Sequence, residues 1–548
     1  MLNTPLLIPF VSLLIGLSAP SMLLGGTLSP WEIEKMESDL GIRLSAEEIL
    51  ELGSIVKPDG QKPQWRRDAE QRIETHRRAD LAIEVLDRNG MPVSGAVVEV
   101  KLLSNGFNFG GVLGLRDMFN ETGNLRITTE RYQSLALKMF NTAGLNNGLK
   151  PKLRNGNEYL LPGFFEWAQA NDLPVRGHLL IWPGNTGNNH LPADILSDVE
   201  DVEAAIANGE TPGTVDALKA ILKANIDAMI TDWASKWPVY EWDVINEPRG
   251  NFRVQDLLGY GEMAEWFKIA ETEAVLPGCE FFLNENQIIS AKSESLDFDY
   301  YTTRRDIYKA SVDRIISDGG PISGLGFQSR FKWEHIDPGI IYDRLEEFSQ
   351  AYGLEMAGTE FEIKENDRAG FYPDEQLRAQ MTEEIMTAFY SHPMVTGLNA
   401  WTYMSDDSSA LCDYDGSVKL NGLVWYYLNR IRYYTESIQS TDTSGRIELR
   451  GNKGEYEVTV RNGEEVTVSR FNLDSSKTMQ VHLSSDTGAS MWGSFPLLLD
   501  EYVDSGSWLG LLHVRTAPWI WSFSLSSWLY VPGITAMDGM GWVFVPIP

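Results

Sequence analysis

Two glutamates stand where strand-like runs give out. In "YEWDVINEP", residues 240–248, an apolar and aromatic stretch leads to Asn246 and Glu247 before Pro248 stops it. Glu360 lies near the end of another such run, "LEMAGTEFEI". An unpaired buried charge is costly, so each carboxylate is paired, exposed at a strand mouth, or in use. Two carboxylates facing each other across a cleft are what glycosidic bond cleavage needs. One protonates the departing oxygen while the other attacks the anomeric carbon or activates water. A separation of about 5–5.5 Å gives retention of configuration, and about 6.5–9.5 Å gives inversion.

The elements that must bring these residues together form a rhythm. From about Phe107 to Leu428, eight strand-like runs alternate with helical segments such as "TVDALKAILKANIDAMITDWASKW". That alternation predicts the α/β class and a (β/α)8 TIM barrel over residues 105–437. A doubly wound sheet is the alternative, but its Gly-rich phosphate fingerprint is absent after the first strand. Polar residues recur at strand ends: Asn147, His178, Asn246, Glu247, Asn284, Gln328 and Glu360. A barrel gathers those ends on one face.

Smaller segments flank the barrel. Residues 31–80 are charged and helix-prone. Within 62–104, "LAIEVLDRNGMPVSGAVVEVKLL" alternates around the hairpin-like turn signal Asn89–Gly90, predicting an N-terminal β unit. A second β unit is expected over 440–483, and the two are expected to pack as one sandwich. Residues 486–548 read as a Trp-rich β module containing Trp492, Trp508, Trp519, Trp521, Trp528 and Trp542. These aromatics suit either a small core or a sugar-stacking surface. Residues 1–26 resemble a secretory signal peptide with an "APS" cleavage candidate, although no Lys or Arg precedes Lys35. An uncleaved anchor is the alternative. Export to an extracellular or periplasmic space is the expectation.

Composition narrows the partners. A net charge of −31 and a pI near 4.6 disfavour nucleic acid and anionic lipid surfaces. Cys279 and Cys412 are too few for a disulfide scaffold, and seven scattered histidines without HExxH or CxxC suggest no metal or other cofactor. A monomer acting on a polysaccharide is expected, with no membrane partner once the leader is removed.

The barrel motifs together resemble glycoside hydrolase family 10, the endo-β-1,4-xylanases, over most of residues 107–430. "WDVINEP" resembles its acid/base strand, "FNTAGLNNGLK" its second-strand motif and "VRGHLLIWP" its third. "GLGFQS", "GTEFEI" and "GLNAWTYM" resemble its sixth, seventh and eighth. The resemblance implies a retaining mechanism, with Glu247 as acid/base and Glu360 as nucleophile. It also implies that Asn147, Lys150, His178, Asn246 and Gln328 bind sugar hydroxyls, and that Trp182 and Trp401 wall the sugars. Another barrel β-glycanase, acting on glucan or mannan, and a noncatalytic carbohydrate-binding barrel are the rival readings.

Several positions depart from the family pattern. The second-strand Glu-Asn-Glu reads Asn146–Asn147–Gly148, Pro151 replaces a tryptophan, and Pro183 replaces a histidine. The sixth-strand histidine is Arg330 and the seventh-strand aspartate is Glu362. A second tryptophan after the eighth strand is missing. Glu360 and Glu362 are two apart on a strand and so point to the same face. An Arg330–Glu362 pair is therefore expected to replace the family's His–Asp pair beside the nucleophile.

Overall fold

The computed structural model describes residues 26–187, 190–293, 300–463 and 465–483, and six short strands between 491 and 530. The leader-like residues 1–25, Trp508 and Trp542 lie outside the described residues.

Three helices precede the sheets: α1 (Pro30–Leu40), α2 (Ala46–Val56) and α3 (Gln64–His76). Capping boxes start the first two, Ser29 with Glu32 and Ser45 with Glu48, so orphan amides at both helix starts are satisfied reciprocally. Helix α3 falls inside the stretch read as an N-terminal β unit, yet it packs on the barrel. Its Arg66 pairs with Glu383 of helix Glu375–Ser391, and Arg432 reaches the same carboxylate at 2.5 Å.

Two strands follow, β1 (Arg78–Leu86) and β2 (Val97–Asn105). The barrel strands are β3 (Asn108–Leu113), β4 (Thr142–Leu145), β5 (Arg176–Ile181), β6 (Glu241–Asn246), β7 (Glu280–Glu285), β8 (Gly324–Phe327), the short β9 (Arg330–Phe331), β10 (Glu355–Ile363) and β11 (Val395–Ala400). Eight of them run parallel in the order β4-β3-β11-β10-β8-β7-β6-β5, with β9 added beside β10. A parallel bridge, Ala143 to Val175, and the Ala143 N–H bond to the Pro174 carbonyl at 2.9 Å join the two ends. The result is the (β/α)8 barrel. Strands buried on both faces read as continuous apolar runs, and β5 and β6 are buried at every position. The intervening helices carry their own start signals. Thr211 caps Pro212–Lys236, with Pro212 at the first helical position, and Asp374 caps Glu375–Ser391.

After the barrel come β12 (Glu436–Ser440), β13 (Arg446–Asn452), β14 (Gly454–Asn462), β15 (Glu465–Leu473) and β16 (Lys477–His482). They combine with the strands before it into two sheets, β13-β1-β16 and β12-β2-β14-β15. Between them lies a core that includes Leu81, Ile83, Val98, Val100, Val458 and Val460. The turn at Asn89–Gly90 forms, with Gly90 at φ 77° and a Leu86–Pro92 bridge. However, β1 and β2 do not pair as a hairpin. Pro92 lacks an amide to continue the ladder, and the chain crosses to the opposite sheet before β2 begins.

The last six strands form an antiparallel meander from Met491–Trp492 to Ser527–Tyr530. Val503, Leu512, Ile520 and Leu529 are buried in it, and Trp521 lies opposite Trp528 in register.

Candidate active site

The strand mouths at one end of the barrel carry the polar residues. β6 ends at Asn246, and Glu247 follows with φ 53°, a left-handed conformation that is uncommon for a side-chain-bearing residue. Its N–H donates to the Asn284 carbonyl at 2.7 Å, tying the turn to β7. Gln287 and Ser329, just past β7 and β8, are also left-handed, at φ 50° and 57°. Such conformations persist where the surroundings enforce them, and they cluster at functional sites.

Glu247 receives one hydrogen bond from Gln328 Nε2 to Oε1, at 2.6 Å, and one from Asn251 Nδ2 to Oε2, at 3.3 Å. Burial pushes its pKa up, the bond from Gln328 acts against that, and the charge of Glu360 adds to the rise. A carboxyl so placed is poised to hold a proton.

Glu360, on β10, is only 3% exposed. Arg330 donates to its Oε2 from Nε at 3.0 Å and from Nη2 at 2.8 Å. Asn284 Nδ2 donates to Oε1 at 3.2 Å, and His178 Nε2 stands 4.0 Å from that oxygen. The third Arg330 nitrogen, Nη1, donates to Glu362 Oε1 at 2.9 Å, while Thr402 and Ser409 hydroxyls donate to Glu362 Oε2. Burial works against the Arg330 charge, but Glu360 and Glu362 outweigh it and hold its pKa above the ordinary arginine value. The guanidinium also lies 4.6 Å from the Trp401 ring.

The opposite wall is built on β4 and β5. Lys150 donates to Asn147 Oδ1 at 3.2 Å, and its ammonium sits 5.5 Å from Trp182 and 5.4 Å from Trp401. Burial lowers its pKa, with Glu360 and Glu247 opposing. His178 Nδ1 is 2.7 Å from Asp243 Oδ2, so the aspartate accepts the Nδ1 proton and Nε2 is left facing the cleft. Arg176 grips Asp243 with two bonds, at 2.7 and 2.5 Å, beneath the site.

Lys150, His178, Trp182, Asn246, Glu247, Gln328, Arg330, Glu360 and Trp401 thus line one cleft of 330 Å³. Asn147 does not line it. It stands behind Lys150 in a neighbouring hollow of 200 Å³. Glu362, 2% exposed, lies behind Arg330.

Two features carry no assigned role in the sequence reading. Asn284 Nδ2 donates to both Asn246 Oδ1, at 2.9 Å, and Glu360 Oε1, while its Oδ1 accepts from Thr359 at 2.7 Å. One amide therefore links the β6 and β10 site residues; its place at a strand end was the available signal. His190 stacks on Trp182 at 3.5 Å and 6°, with its pKa lowered to about 4 by burial and then by Lys152 and Lys150. It arrives from a loop, where no periodicity marks it.

Residues 109–414 match the family model for glycosyl hydrolase family 10, more than half of the chain. The chain belongs to glycosyl hydrolase family 10. Three curated relatives are similar to this family 10 protein. The anti-sigma-I factor RsgI6 of Acetivibrio thermocellus is 24% identical over 413 residues, 72% of this chain and 47% of the relative. Endo-1,4-beta-xylanase 2 of Arabidopsis thaliana is 23% identical over 410 residues, 73% of this chain and 34% of the relative. A beta-1,4-xylanase of Dictyoglomus thermophilum is 24% identical over 299 residues, 50% of this chain and 74% of the relative. The family 10 chain thus spans less than half the length of the first two.

Proposed function

We propose that this chain is an endo-acting β-1,4-xylanase that cleaves with retention. The observation that supports the reading best is the pairing in one cleft of two unlike carboxyls. Glu247 has its pKa raised by burial, and Glu360 is held by the Arg330 guanidinium. Burial suits Glu247 to hold the proton an acid needs, and the Arg330 fork fixes Glu360 where a nucleophile is needed.

Glu360 attacks the anomeric carbon while the Glu247 proton passes to the departing oxygen, breaking the glycosidic bond and leaving a glycosyl ester on Glu360. Water then attacks the same carbon. Glu247 takes its proton, and the ester bond breaks to return the Glu360 carboxylate. Asn246 serves the 2-hydroxyl, and Lys150, His178 and Gln328 the other hydroxyls of the bound sugar. Trp182 and Trp401 supply apolar walls. The noncatalytic reading draws on the replaced outer residues Asn146, Gly148 and Pro151, and on similarity to a protein named as an anti-sigma factor.

Reducing-sugar release from xylan, β-glucan and mannan separates these readings. Release from xylan well above the other two is expected. Preferred release from glucan or mannan contradicts the xylan assignment. Release from none, together with retained xylan binding, supports the noncatalytic reading.

A further inference from the structure

Among the described residues, the cleft wall beside Glu247 holds an ammonium, Lys332, that no carboxylate pairs. Along the extended segment 330–332, Phe331 is buried at 0% exposure, and Arg330 and Lys332 project to the other side, where both line the cleft. The Arg330 charge is met by two carboxylates. Among the described residues, no carboxylate pairs with Lys332. Its surroundings are cationic instead. Burial and then Arg330 lower its pKa, Glu362 opposes, and Arg304 and Lys364 add to the lowering.

The same wall continues with Asn286, whose Oδ1 accepts from Arg249 at 2.9 Å and Arg304 at 3.3 Å. Lys292 lies 4.7 Å over Trp333, which in turn donates to Gln287. Glu285 sits below at 0% exposure, with its pKa pushed up to about 7 by burial, and is turned to Arg249 and the Asn286 amide. All this stands in a chain of net charge −31. A half-buried ammonium facing a sugar cleft without a counter-charge is a place that an anion on the ligand completes.

We infer that the leaving-group side of this cleft takes a sugar bearing an anionic substituent, a uronic-acid carboxylate or a sulfate ester, which pairs with the Lys332 ammonium. The side is assigned through Gln328, which bonds the Glu247 carboxyl and lines the cleft together with Asn286 and Lys332, so the inference rests on Glu247 being the proton donor. It deepens the proposed function by naming a substrate class, a backbone decorated with negative charge.

The test uses the full chain and two readouts. Affinity is measured by calorimetry on Glu247→Gln protein with three xylo-oligosaccharides of one length. One carries glucuronic acid, one is the same compound with its carboxyl reduced to an alcohol, and one carries a sulfate ester. A charged ligand is expected to bind about tenfold tighter than the reduced one, and the arm that gains identifies the group. Lys332→Met is expected to bring the ratio toward one and Lys332→Arg to keep most of it. Equal affinities in the parent background, or a ratio that survives Lys332→Met, overturn the inference. Hydrolysis by the parent protein is read separately. Cleavage of neutral and charged polymers with equal kcat/KM defeats this inference alone, whereas binding without hydrolysis of any polymer defeats the enzymatic reading and leaves the affinity ratio to decide.

Discussion

Arg330 and Glu360 are joined by two hydrogen bonds to one oxygen, Oε2, from Nε at 3.0 Å and Nη2 at 2.8 Å. The remaining arm of the same guanidinium holds Glu362 at 2.9 Å. A planar fork with a permanent charge thus sits where the family pattern has a histidine, and it fixes the Glu360 carboxylate from one side.

Truncating that fork leaves two buried carboxylates with no cation between them. Arg330→Ala is expected to lower kcat by about a hundredfold, with the circular dichroism spectrum retained. Arg330→Lys is expected to fall between, because an ammonium cannot make the same three-armed contact. Steady-state kinetics on xylan check this, and an unaltered rate in Arg330→Ala contradicts it.

Under the proposed mechanism, Glu247 sets the alkaline limb of activity. Its pKa is raised in the folded protein and its working form is protonated, so activity is full below that raised value and falls as pH climbs through it. Glu247→Gln, which cannot donate a proton, is expected to lose that limb. It should also lose about a hundredfold or more in rate on xylan, and less on an aryl glycoside whose leaving group needs no proton. A pH–rate profile that keeps the same alkaline limb in Glu247→Gln assigns the proton to another group.

Asn284 links two strands through one amide. Asn284→Ala removes donors to Asn246 and Glu360 and the acceptor of the Thr359 hydroxyl. A loss of about 1–3 kcal/mol in stability is expected, with a fall in kcat larger than any change in KM. Denaturant unfolding and kinetics on one preparation read both, and a wild-type kcat rules out the positioning role.

Glu383 carries no chemistry but ties α3 and the segment after the barrel to helix Glu375–Ser391. It is 1% exposed and meets both Arg66 and Arg432, which keep its pKa low against the opposing effect of burial. Glu383→Ala leaves the buried Arg66 and the half-buried Arg432 guanidinium groups without their carboxylate. It is expected to cost about 3–5 kcal/mol, with kcat near that of the parent at temperatures where the variant is folded. Unchanged thermal unfolding contradicts this.

The barrel was legible because strands buried on both faces and amphipathic helices alternate with different periods, and because Asn246, Glu247, Gln328 and Glu360 mark where strands end. The Arg330–Glu362 contact was legible for a narrower reason, two substitutions in neighbouring motifs that exchange one charged pair for another. What stayed hidden depends on register or on loops. Asn284 shows as a polar strand end, but its two hydrogen bonds, to Asn246 on β6 and Glu360 on β10, follow only from how the strands align. His190 reaches Trp182 from a loop with no pattern to place it. The β1–β2 turn carried a hairpin signal, and only the long-range partners of each strand put them in different sheets. Arg66, Glu383 and Arg432 lie hundreds of residues apart in part, and no local spacing joins them.

The most direct measurement is covalent trapping. A xylobioside with fluorine in place of the 2-hydroxyl and a good leaving group slows the second step more than the first, so the glycosyl ester accumulates. Mass spectrometry of the digested protein is expected to show one added glycosyl unit on the peptide that contains Glu360, and none on Glu360→Gln protein. An adduct on a different residue, or turnover of xylan with inversion at the anomeric carbon and no adduct at all, contradicts the account.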